Sequence, residues 1–515
     1  MVSKVITVGL VFLACCVAEA TLDINGNTAC TWDSEHCLPS ALCTPSGNTN
    51  KPCRVKNDSA FIPQQLHLAY AGIPAGTGIT LSWSTYTQLE DSSAWIGSSK
   101  DTLTLMNTPV TQTSYYNDAT YNMFHYHATI TGLKPHTKYF YKVGSKSSPN
   151  YTSDVYSFVT ARTASDNSTF NMIVYGDFGP GDQSKNTLTY VNSLTLDNVD
   201  FIYHLGDIGY ADDDYLMPGQ ALGFFYEKTY NKWMNSLMPV MSSVPYMVLV
   251  GNHEAECHSP SCQVSSTKSK KLGNYTAYNT RFRMPSAEVG GKLNMWYSFE
   301  HGPIHFTTIS TETDYPGAPD NKYTIFSRNG NFGDQLTWVE SDLKKAAENR
   351  ANVPWIIVGM HRPIYDLSST KQFSFWSFFD KKSAKQNARL QAAFEALFLK
   401  YKVDVVLTAH EHCYQRHTPI RNNEPILDGI SSNRKTYNNP QAPVYILSGA
   451  GGGIEGHETN PHAIAEWNVV SNYVDFGITA LQANRTMLSW KFVSSSTHEI
   501  LDEFVVLKTG DATNN

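Results

Sequence analysis

The sequence predicts two folded units in succession: an antiparallel β-sandwich over residues 61–163, then an α/β domain over residues 168–508. In the first unit, short segments alternate apolar and polar residues between Gly, Pro and Ser turns, which is typical of strands buried on one face. In the second unit, continuous apolar runs alternate with longer segments, some of them helical, which is typical of strands buried on both faces. At 515 residues the chain is long enough to build both cores.

The alternating pattern of the first unit is clearest at 65–70, 79–83 and 139–143. The stretch 127–141 resembles the late strands of a fibronectin type III-like module, a likeness that predicts a fold and no chemistry. Residues 161–169, rich in Thr, Ser, Ala and Asn, are predicted to be the linker. Helices are predicted at 336–349 and 386–400 in the second unit, which ends in a C-terminal segment, 443–508.

The first twenty residues predict a signal peptide. Lys4 precedes an apolar run over 5–17 and the small-x-small sequence Ala18-Glu19-Ala20, after which we expect cleavage. The run is short for a bilayer, and the rest of the chain has no apolar stretch of about eighteen residues, so no membrane span is expected. Secretion, or delivery to a vacuole or lysosome, follows. Five glycosylation sequons agree with that route: Asn57, Asn150, Asn167, Asn274 and Asn484.

Cysteine spacing indicates an oxidising compartment. Residues 21–60 are predicted to form a disulfide-stapled segment with three possible connectivities among Cys30, Cys37, Cys43 and Cys53. Cys257 and Cys262 form a plausible short-loop pair. Cys413 is left over, and we expect a buried, inert thiol there, with no role as nucleophile or metal ligand.

The charge balance argues against nucleic acid as a partner. With 39 Lys and Arg against 46 Asp and Glu, the formal net charge is -7. Such a chain has no basic surplus to bind a polyanion by counterion release.

Five apolar runs of the second unit each lead directly into polar side chains. The polar residues are Asp177 after the run 170–175, Asp207 and Tyr210 after 199–205, and Asn252 and His253 after 244–250. They continue with His361 after 353–360, and with His410 and His412 after 403–409. In an open α/β sheet, binding sites form outside the carboxyl ends of the strands, where neighbouring loops converge. A lone Gly-Asp is usually a turn and a lone His usually a packed residue, but all five in this arrangement indicate one polar cluster at a sheet edge.

The ordered motifs Gly-Asp-x-Gly, Gly-Asp-x-x-Tyr, Gly-Asn-His-Glu, Val-x-x-His and x-His-x-His resemble those of the purple acid phosphatases, a family of binuclear metallophosphoesterases. The resemblance spans nearly all of the chain after residue 20, including the fibronectin-like unit that plant-type and fungal-type members carry. It implies that residues 168–508 form a four-layer α/β/β/α metallophosphoesterase domain.

The resemblance also implies a ligand set. One metal would be bound by Asp177, Tyr210 and His412 and a second by Asn252, His361 and His410, with the carboxylate of Asp207 between them. The donor chemistry agrees, because carboxylate and phenolate oxygens suit Fe(III), whereas imidazoles and an amide oxygen suit a divalent ion such as Zn, Mn or Fe(II).

A secreted acid phosphatase is the activity that the resemblance implies. A metal-bound hydroxide would attack small phosphate monoesters, and His253 would assist phosphate binding or protonate the leaving group. Glu254 is expected either to orient His253 or a bound water, or to be solvated. Two alternatives stay open: a phosphodiesterase or nucleotide pyrophosphatase on the same fold, and a non-catalytic secreted binding or storage protein.

Some positions depart from the family pattern or have two interpretations. Plant-type members place one or two further histidines about ten residues beyond the position of His361, but 365–371 contains none, and Asp366 or Lys371 would have to replace them. Ala409 stands where the last motif usually has Gly.

Arg362 and Arg416 could each bind a phosphate oxygen or pair with a structural carboxylate, the commoner outcome. The glycine run 449–453 is predicted to be a backbone turn.

Overall fold

The computed structural model describes residues 58–117, 122–217, 219, 223–255, 260–319, 328–368, 377–459 and 463–509, with the backbone alone for 377–383. It also describes four two-residue strands nearer the N-terminus, which pair as Thr21–Leu22 with Thr28–Ala29 and Trp32–Asp33 with Leu38–Pro39. The predicted signal peptide and the cysteines of segment 21–60 lie outside these residues, as do Asn57, Cys257 and Lys371.

A β-sandwich forms the first unit, as the sequence predicts. One sheet has the strand order Gln64–Ala71, Gly78–Thr85, Phe124–Thr131 and Val110–Thr113. The other has the order Tyr156–Val159, Lys138–Ser145, Ser92–Gly97 and Thr104–Leu105. In Phe124–Thr131 the residues Tyr126, Ala128 and Ile130 are fully buried, whereas His127 and Thr129 between them are half-buried. This period of two places one face of the strand in the core.

The second unit contains two large sheets. The first has seven strands in the order Tyr246–Val248, Phe201–His204, Phe170–Tyr175, Gly477–Ala483, Met487–Ser494, Ile500–Leu507 and Thr436–Asn438. The second has the order Tyr297–His301, Ile304–Thr308, Trp355–Gly359, Val405–Thr408, Val444–Ser448, Tyr414–Arg421 and Glu424–Pro425, and Asn468–Asn472 also pairs with Tyr414–Arg421.

The two sheets pack face to face through aromatic side chains. Phe201 of the first sheet meets Phe306 of the second edge-on at 5.6 Å between ring centroids, and the Tyr203 hydroxyl lies 2.7 Å from the Thr308 hydroxyl. The residues predicted that the polar cluster lies at the edge of a single sheet. This prediction is wrong, because three of the five apolar runs lie in one sheet and two in the other. An apolar run cannot reveal which of two buried sheets it joins, because both give it the same surroundings.

Helices cover the outer faces of both sheets. The long helices are Lys185–Asn192, Tyr226–Met241, Gln335–Glu348 and Ser377–Leu390, the last of which continues through a π-turn, Gln391–Glu395, into Ala396–Lys400. Shorter helices are Pro260–Gln263, Ser266–Leu272 and Thr276–Arg281. None of the helices in the described ranges is long and apolar enough to cross a membrane.

The strand Trp355–Gly359 explains why its apolar run is continuous. Trp355 and Ile357 belong to the core between the sheets, whereas Ile356 and Val358 belong to a separate core under the helix Gln335–Glu348. Both faces of the strand are therefore covered, so that every residue is apolar. The result is the four-layer α/β/β/α arrangement.

A buried polar network joins the sandwich to the second unit. Arg281 pairs with Glu227 at 2.6 Å and donates to the Gln65 side chain at 3.0 Å, and Gln65 in turn donates to Asn231 at 3.0 Å. The Tyr115 hydroxyl donates to the same Glu227 carboxylate at 2.6 Å. Because removing one member would leave buried charge unpaired, the intact network stabilises the contact between the two units.

Two predictions for single side chains are confirmed. Cys413 is fully buried with a free thiol, and burial raises its pKa well above the usual range, as expected of an inert cysteine. Arg416 is buried in a two-pronged pair with Asp502, with N to O distances of 2.6 and 2.9 Å, so it serves the structure.

A buried histidine in the second sheet makes stability depend on pH. His305 donates to Asp342 at 3.0 Å, and although burial alone would lower its pKa, the carboxylates of Asp342 and Glu300 raise it to about 9. The pair should therefore contribute fully below about pH 6.5, the ordinary histidine pKa, and lose its contribution as pH rises toward 9.

We predict that His305→Gln lowers stability by roughly 2 kcal/mol near pH 6, and that the gap to wild type narrows by about pH 9. Thermal unfolding midpoints across this range measure it, with the exposed His498→Gln as the matched control. A gap that stays constant or widens toward pH 9 would contradict the assignment.

Candidate metal centre

The loops that carry the candidate residues have unusual backbone geometry. Asp177, Asp207, Tyr210 and His410 are left-handed, with φ between 45° and 74°. Such a conformation costs a non-glycine residue about 1 kcal/mol or more, and it persists only where the surroundings enforce it. The strain turns each side chain sharply out of its strand and toward a common point.

One group of candidate side chains lies on the first side of the cluster. The Tyr210 hydroxyl is 3.3 Å from Asp177 Oδ1 and 2.8 Å from His412 Nε2. His412 Nε2 is 3.6 Å from Asp177 Oδ1. These three donor atoms thus form a triangle of the size that a single metal ion would span.

The other group lies around Asp207. His361 Nε2 is 3.0 Å from Asp207 Oδ2 and 3.2 Å from Asn252 Oδ1. One possible ligand atom of each of Asp207, His361 and His410 lies within 4.8 Å of the others. The loops of Asp177 and Asp207 are in turn joined by the hydrogen bond from Phe178 N to Asp207 O, at 3.2 Å. All seven predicted ligands therefore come together in one place.

Two of the histidines are oriented by backbone carbonyls. Nδ1 of His361 lies 2.8 Å from Leu205 O, and Nδ1 of His412 lies 2.7 Å from Gly456 O. A carbonyl can only accept, so Nδ1 carries the proton and the Nε2 lone pair of each ring faces the cluster. This is the arrangement of metal-binding histidines.

Arg362 contacts the third histidine. Its Nη1 lies 2.8 Å from His410 Nε2, and its Nε is 2.8 and 2.9 Å from the two oxygens of the buried Glu312 carboxylate. Of the two interpretations of Arg362, pairing with a structural carboxylate is therefore confirmed. Sequence reasoning missed both contacts, because Glu312 and His410 each lie about fifty residues from Arg362.

Glu254 has a role that the sequence did not predict. Its carboxylate accepts from three backbone N–H groups, those of Asp207 at 2.9 Å, Ile208 at 2.6 Å and Gly251 at 2.6 Å. The side chain is only 2% exposed, so it is neither solvated nor directed at His253. It clamps the strained loop that carries the Asp207 carboxylate.

The glycine run 449–453 closes the site from behind. A Cβ at Gly453 would lie 2.6 Å from the His412 ring and 2.8 Å from the Tyr210 hydroxyl, and one at Gly449 would lie 2.7 Å from Asp177 Oδ2. The run is a backbone turn, and at Gly449 and Gly453 only glycine fits against the candidate ligands. Gly176 is constrained in the same way by Ala409, because a Cβ at Gly176 would lie 2.4 Å from the Ala409 methyl group.

His253 stands at the mouth of the cluster. Its Nδ1 is 2.8 Å from Asp212 Oδ2, while Nε2 is 3.9 Å from Asp207 Oδ2 and 4.0 Å from Glu455 Oε2. Burial alone would lower its pKa, but Asp212 and Asp207 raise the pKa well above the ordinary histidine value. The ring is thus held by Asp212 with its other nitrogen toward the cavity.

The electrostatics of the cluster fit bound cations. Burial and the negative charge of Asp207 raise the pKa of Asp177 well above its usual range, and burial with both carboxylates does the same for the pKa of Tyr210. Asp207 Oδ2, fully buried, accepts no hydrogen bond from the described residues. Oxygen donors that repel one another in this way are stabilised by metal ions.

The cluster opens into a cavity of about 370 Å³, lined by Asn252, His253, His410, His412 and Glu455 among others. Asp366 is buried and does not line it; its carboxylate accepts from Asn387. A larger cavity, about 770 Å³, is lined by Arg350, Asp404 and Lys508 and includes none of the candidate residues.

The predicted glycosylation sites differ in exposure. Asn150 and Asn167 are exposed, and Asn274 and Asn484 are half-buried. The Asn274 side chain is also engaged, because its Oδ1 accepts from Gly330 N at 2.7 Å. Glycosylation itself stays a prediction.

Three family models match this chain in order. They are the purple acid phosphatase N-terminal domain over residues 63–160, the calcineurin-like phosphoesterase over residues 170–414, and the iron/zinc purple acid phosphatase-like protein C over residues 442–503.

Relatives match over most of their length. Acid phosphatase A of Cryphonectria parasitica is 30% identical, over 87% of this chain and 92% of the relative. Purple acid phosphatase 23 of Arabidopsis thaliana is 29% identical, over 78% of this chain and 82% of the relative. A solved purple acid phosphatase, PPD1 from yellow lupin seeds, shares the fold with a TM-score of 0.67 at 21% identity, covering 88% of this chain and 75% of the lupin chain.

We predict that Glu254→Gln weakens metal retention, because an amide NH₂ would face at least one of three backbone N–H donors. Losing charged hydrogen bonds of this kind costs about 1.5–3 kcal/mol each. Metal content after dialysis and the melting temperature of the metal-free protein measure the effect, with the exposed Glu424→Gln as control. Unchanged metal content and an unchanged melting temperature would contradict the clamp.

Proposed function

Because this chain belongs to the purple acid phosphatase family, we propose that it is an acid phosphatase that depends on two metal ions and hydrolyses small phosphate monoesters. The observation that carries the proposal is the convergence of seven donor side chains, from five loops, in one buried cluster that opens into a single cavity. A binding or storage protein has no need of such a strained and buried set of donors.

We assign Asp177, Tyr210 and His412 to Fe(III), because two of the three are hard, anionic oxygen donors. Asn252 and the two histidines His361 and His410 are assigned to a divalent ion such as Zn, Mn or Fe(II). Asp207 lies beside both groups, which supports a bridging role. Two bound ions would supply Lewis acidity toward the phosphoryl oxygens and the attacking water.

His253 is the residue we assign to the leaving group. As the P–O bond to the alcohol breaks, the departing oxygen takes a proton from His253 Nε2, and the oxygen of a water molecule forms the new bond to phosphorus. That water keeps one proton on the phosphate product and releases the other to solvent, and His253 takes a proton back from solvent before the next turnover. Asp212, 2.8 Å from Nδ1, fixes the ring so that Nε2 faces the cavity. The restricted motion of a buried, hydrogen-bonded ring favours proton transfer at one position.

The purified protein is expected to hydrolyse p-nitrophenyl phosphate, to lose that activity with its metals on chelation, and to prefer this monoester to bis-p-nitrophenyl phosphate and ATP. It is also expected to absorb visible light through a phenolate-to-iron band that Tyr210→Phe abolishes. Metal-loaded protein that hydrolyses no monoester would overturn the proposal, and a band that survives in Tyr210→Phe would overturn the iron assignment.

We predict that His253→Ala lowers kcat/KM by about 10²- to 10⁴-fold without changing metal content. The loss should be greater for an alkyl phosphate than for p-nitrophenyl phosphate, because nitrophenolate leaves readily without a proton. His498→Ala, on the surface, serves as the control. Equal losses on both substrates would show that His253 binds phosphate and does not protonate the leaving oxygen.

We also propose that the protein enters the secretory pathway through residues 1–20, supported by the exposed sequons at Asn150 and Asn167. N-terminal sequencing of the mature protein tests this: it should begin at Thr21, and a mature protein that begins at Met1 would contradict it.

A further inference from the structure

We propose that the enzyme prefers phosphate monoesters whose alcohol carries a positive charge, and that Glu455 and Glu458 select them. This inference rests on the proposed phosphatase activity and adds a substrate class to it. It starts from the charge of the cavity into which the candidate metal cluster opens.

Carboxylates dominate the wall of this cavity. Asp207, Asp213, Glu411, Glu455 and Glu458 all line it. Among the described residues that line the cavity, none is a lysine or arginine. Arg362, which contacts His410, is instead paired with Glu312. A bound phosphate would therefore depend on the metal ions and on His253 for its positive partners, and the rest of the substrate would face negative charge.

The carboxylates divide into two sets. Asp207, Asp213 and Glu411 are buried, at 1%, 3% and 8% exposure, and Asp207 belongs to the metal end. Glu455 and Glu458 are exposed and lie on the loop that follows the glycine run, so they form the outer end, where an alcohol would extend from the phosphate. Tyr215, half-buried, also lines the cavity and offers an aromatic face of the kind that attracts cations.

The loop that carries the two glutamates is fixed to the metal cluster. Gly456 O lies 2.7 Å from His412 Nδ1, and the backbone N–H of Glu458 donates to His412 O at 3.3 Å. Gly456 N also donates to Gly453 O at 3.0 Å. The outer carboxylates are thus held at a set place relative to a candidate ligand, as a specificity element must be.

The distances suit a short, cationic alcohol. Glu455 Oε2 is 4.0 Å from His253 Nε2, the nitrogen that would face the leaving oxygen. An ammonium group two carbons away from that oxygen lies roughly 4 Å from it, since single bonds are about 1.5 Å long. Such a group would reach Glu455 while the phosphate stays at the metal end. A second anionic group on the alcohol would instead meet like charge.

Three small esters of similar size test the proposal: 2-aminoethyl phosphate, ethyl phosphate and phosphoglycolate, whose alcohols are cationic, neutral and anionic. We expect kcat/KM of the metal-loaded wild type to be at least about tenfold higher for the cationic than for the anionic ester, with the neutral ester between them. The ratio should shrink from about 0.01 M to about 1 M salt, as the screening length falls from about 30 Å to about 3 Å.

In the double variant Glu455→Gln, Glu458→Gln the preference should fall severalfold, while Glu424→Gln, remote from the cavity, should keep it. Ethyl phosphate normalises each variant for any change at the metal site. Hydrolysis of ethyl phosphate with no preference for the cationic ester, or a preference that survives in the double variant, would overturn this inference alone. Failure of the wild type to hydrolyse any ester would overturn the phosphatase proposal and this inference with it.

Discussion

The confinement of like charges around one small space is the constraint on which the rest of this structure depends. Asp177, Asp207 and Tyr210 are each at most 1% exposed, and burial and mutual repulsion raise the pKa of Asp177 and of Tyr210. Several features of the surroundings serve to keep these groups together: left-handed backbone, the Glu254 carboxylate on three amides, and glycines that allow close approach. Cations bound in this space would offset the repulsion and the backbone strain, which explains why the fold tolerates their cost in folding free energy.

Two sheets are needed to assemble the cluster. The seven-stranded sheet contributes Asp177, Asp207, Tyr210 and Asn252 from the ends of three parallel strands, and the eight-stranded sheet contributes the three histidines. Their aromatic interface, with Phe201 against Phe306, therefore sets the distance between the two groups of donors. None of the described sandwich residues belongs to the cluster, but the buried network through Arg281 and Glu227 holds the helix Tyr226–Met241, whose Trp233 packs on Phe178 beside Asp177.

The features that could be predicted from the sequence are those that depend on residues close together in the chain. Each apolar run leads into candidate polar residues, so one polar cluster could be predicted from their order, and the alternating strands of the sandwich could be located. The two sets of candidate ligands followed only from the resemblance to a known family. Partnerships across long separations could not be predicted. Glu254 stands beside His253, which suggested a partner there, but two of its three amide donors come from a loop nearly fifty residues away. The division of the strands between two sheets was equally hidden, because both sheets demand the same apolar residues. The local sequence gives no sign that Glu455 and Glu458 lie near His412, because the backbone of Gly453 and Gly456 reaches His412 from more than forty residues away.

A crystal structure of metal-loaded protein, with anomalous difference maps recorded at the absorption edges of iron and of the second metal, tests the two-metal assignment most directly. Two peaks about 3.5–4 Å apart are expected. Iron should lie among Asp177, Tyr210 and His412, the divalent ion among Asn252, His361 and His410, and the Asp207 carboxylate should contact both. A single peak, or an Asp207 carboxylate that contacts neither ion, would contradict this assignment.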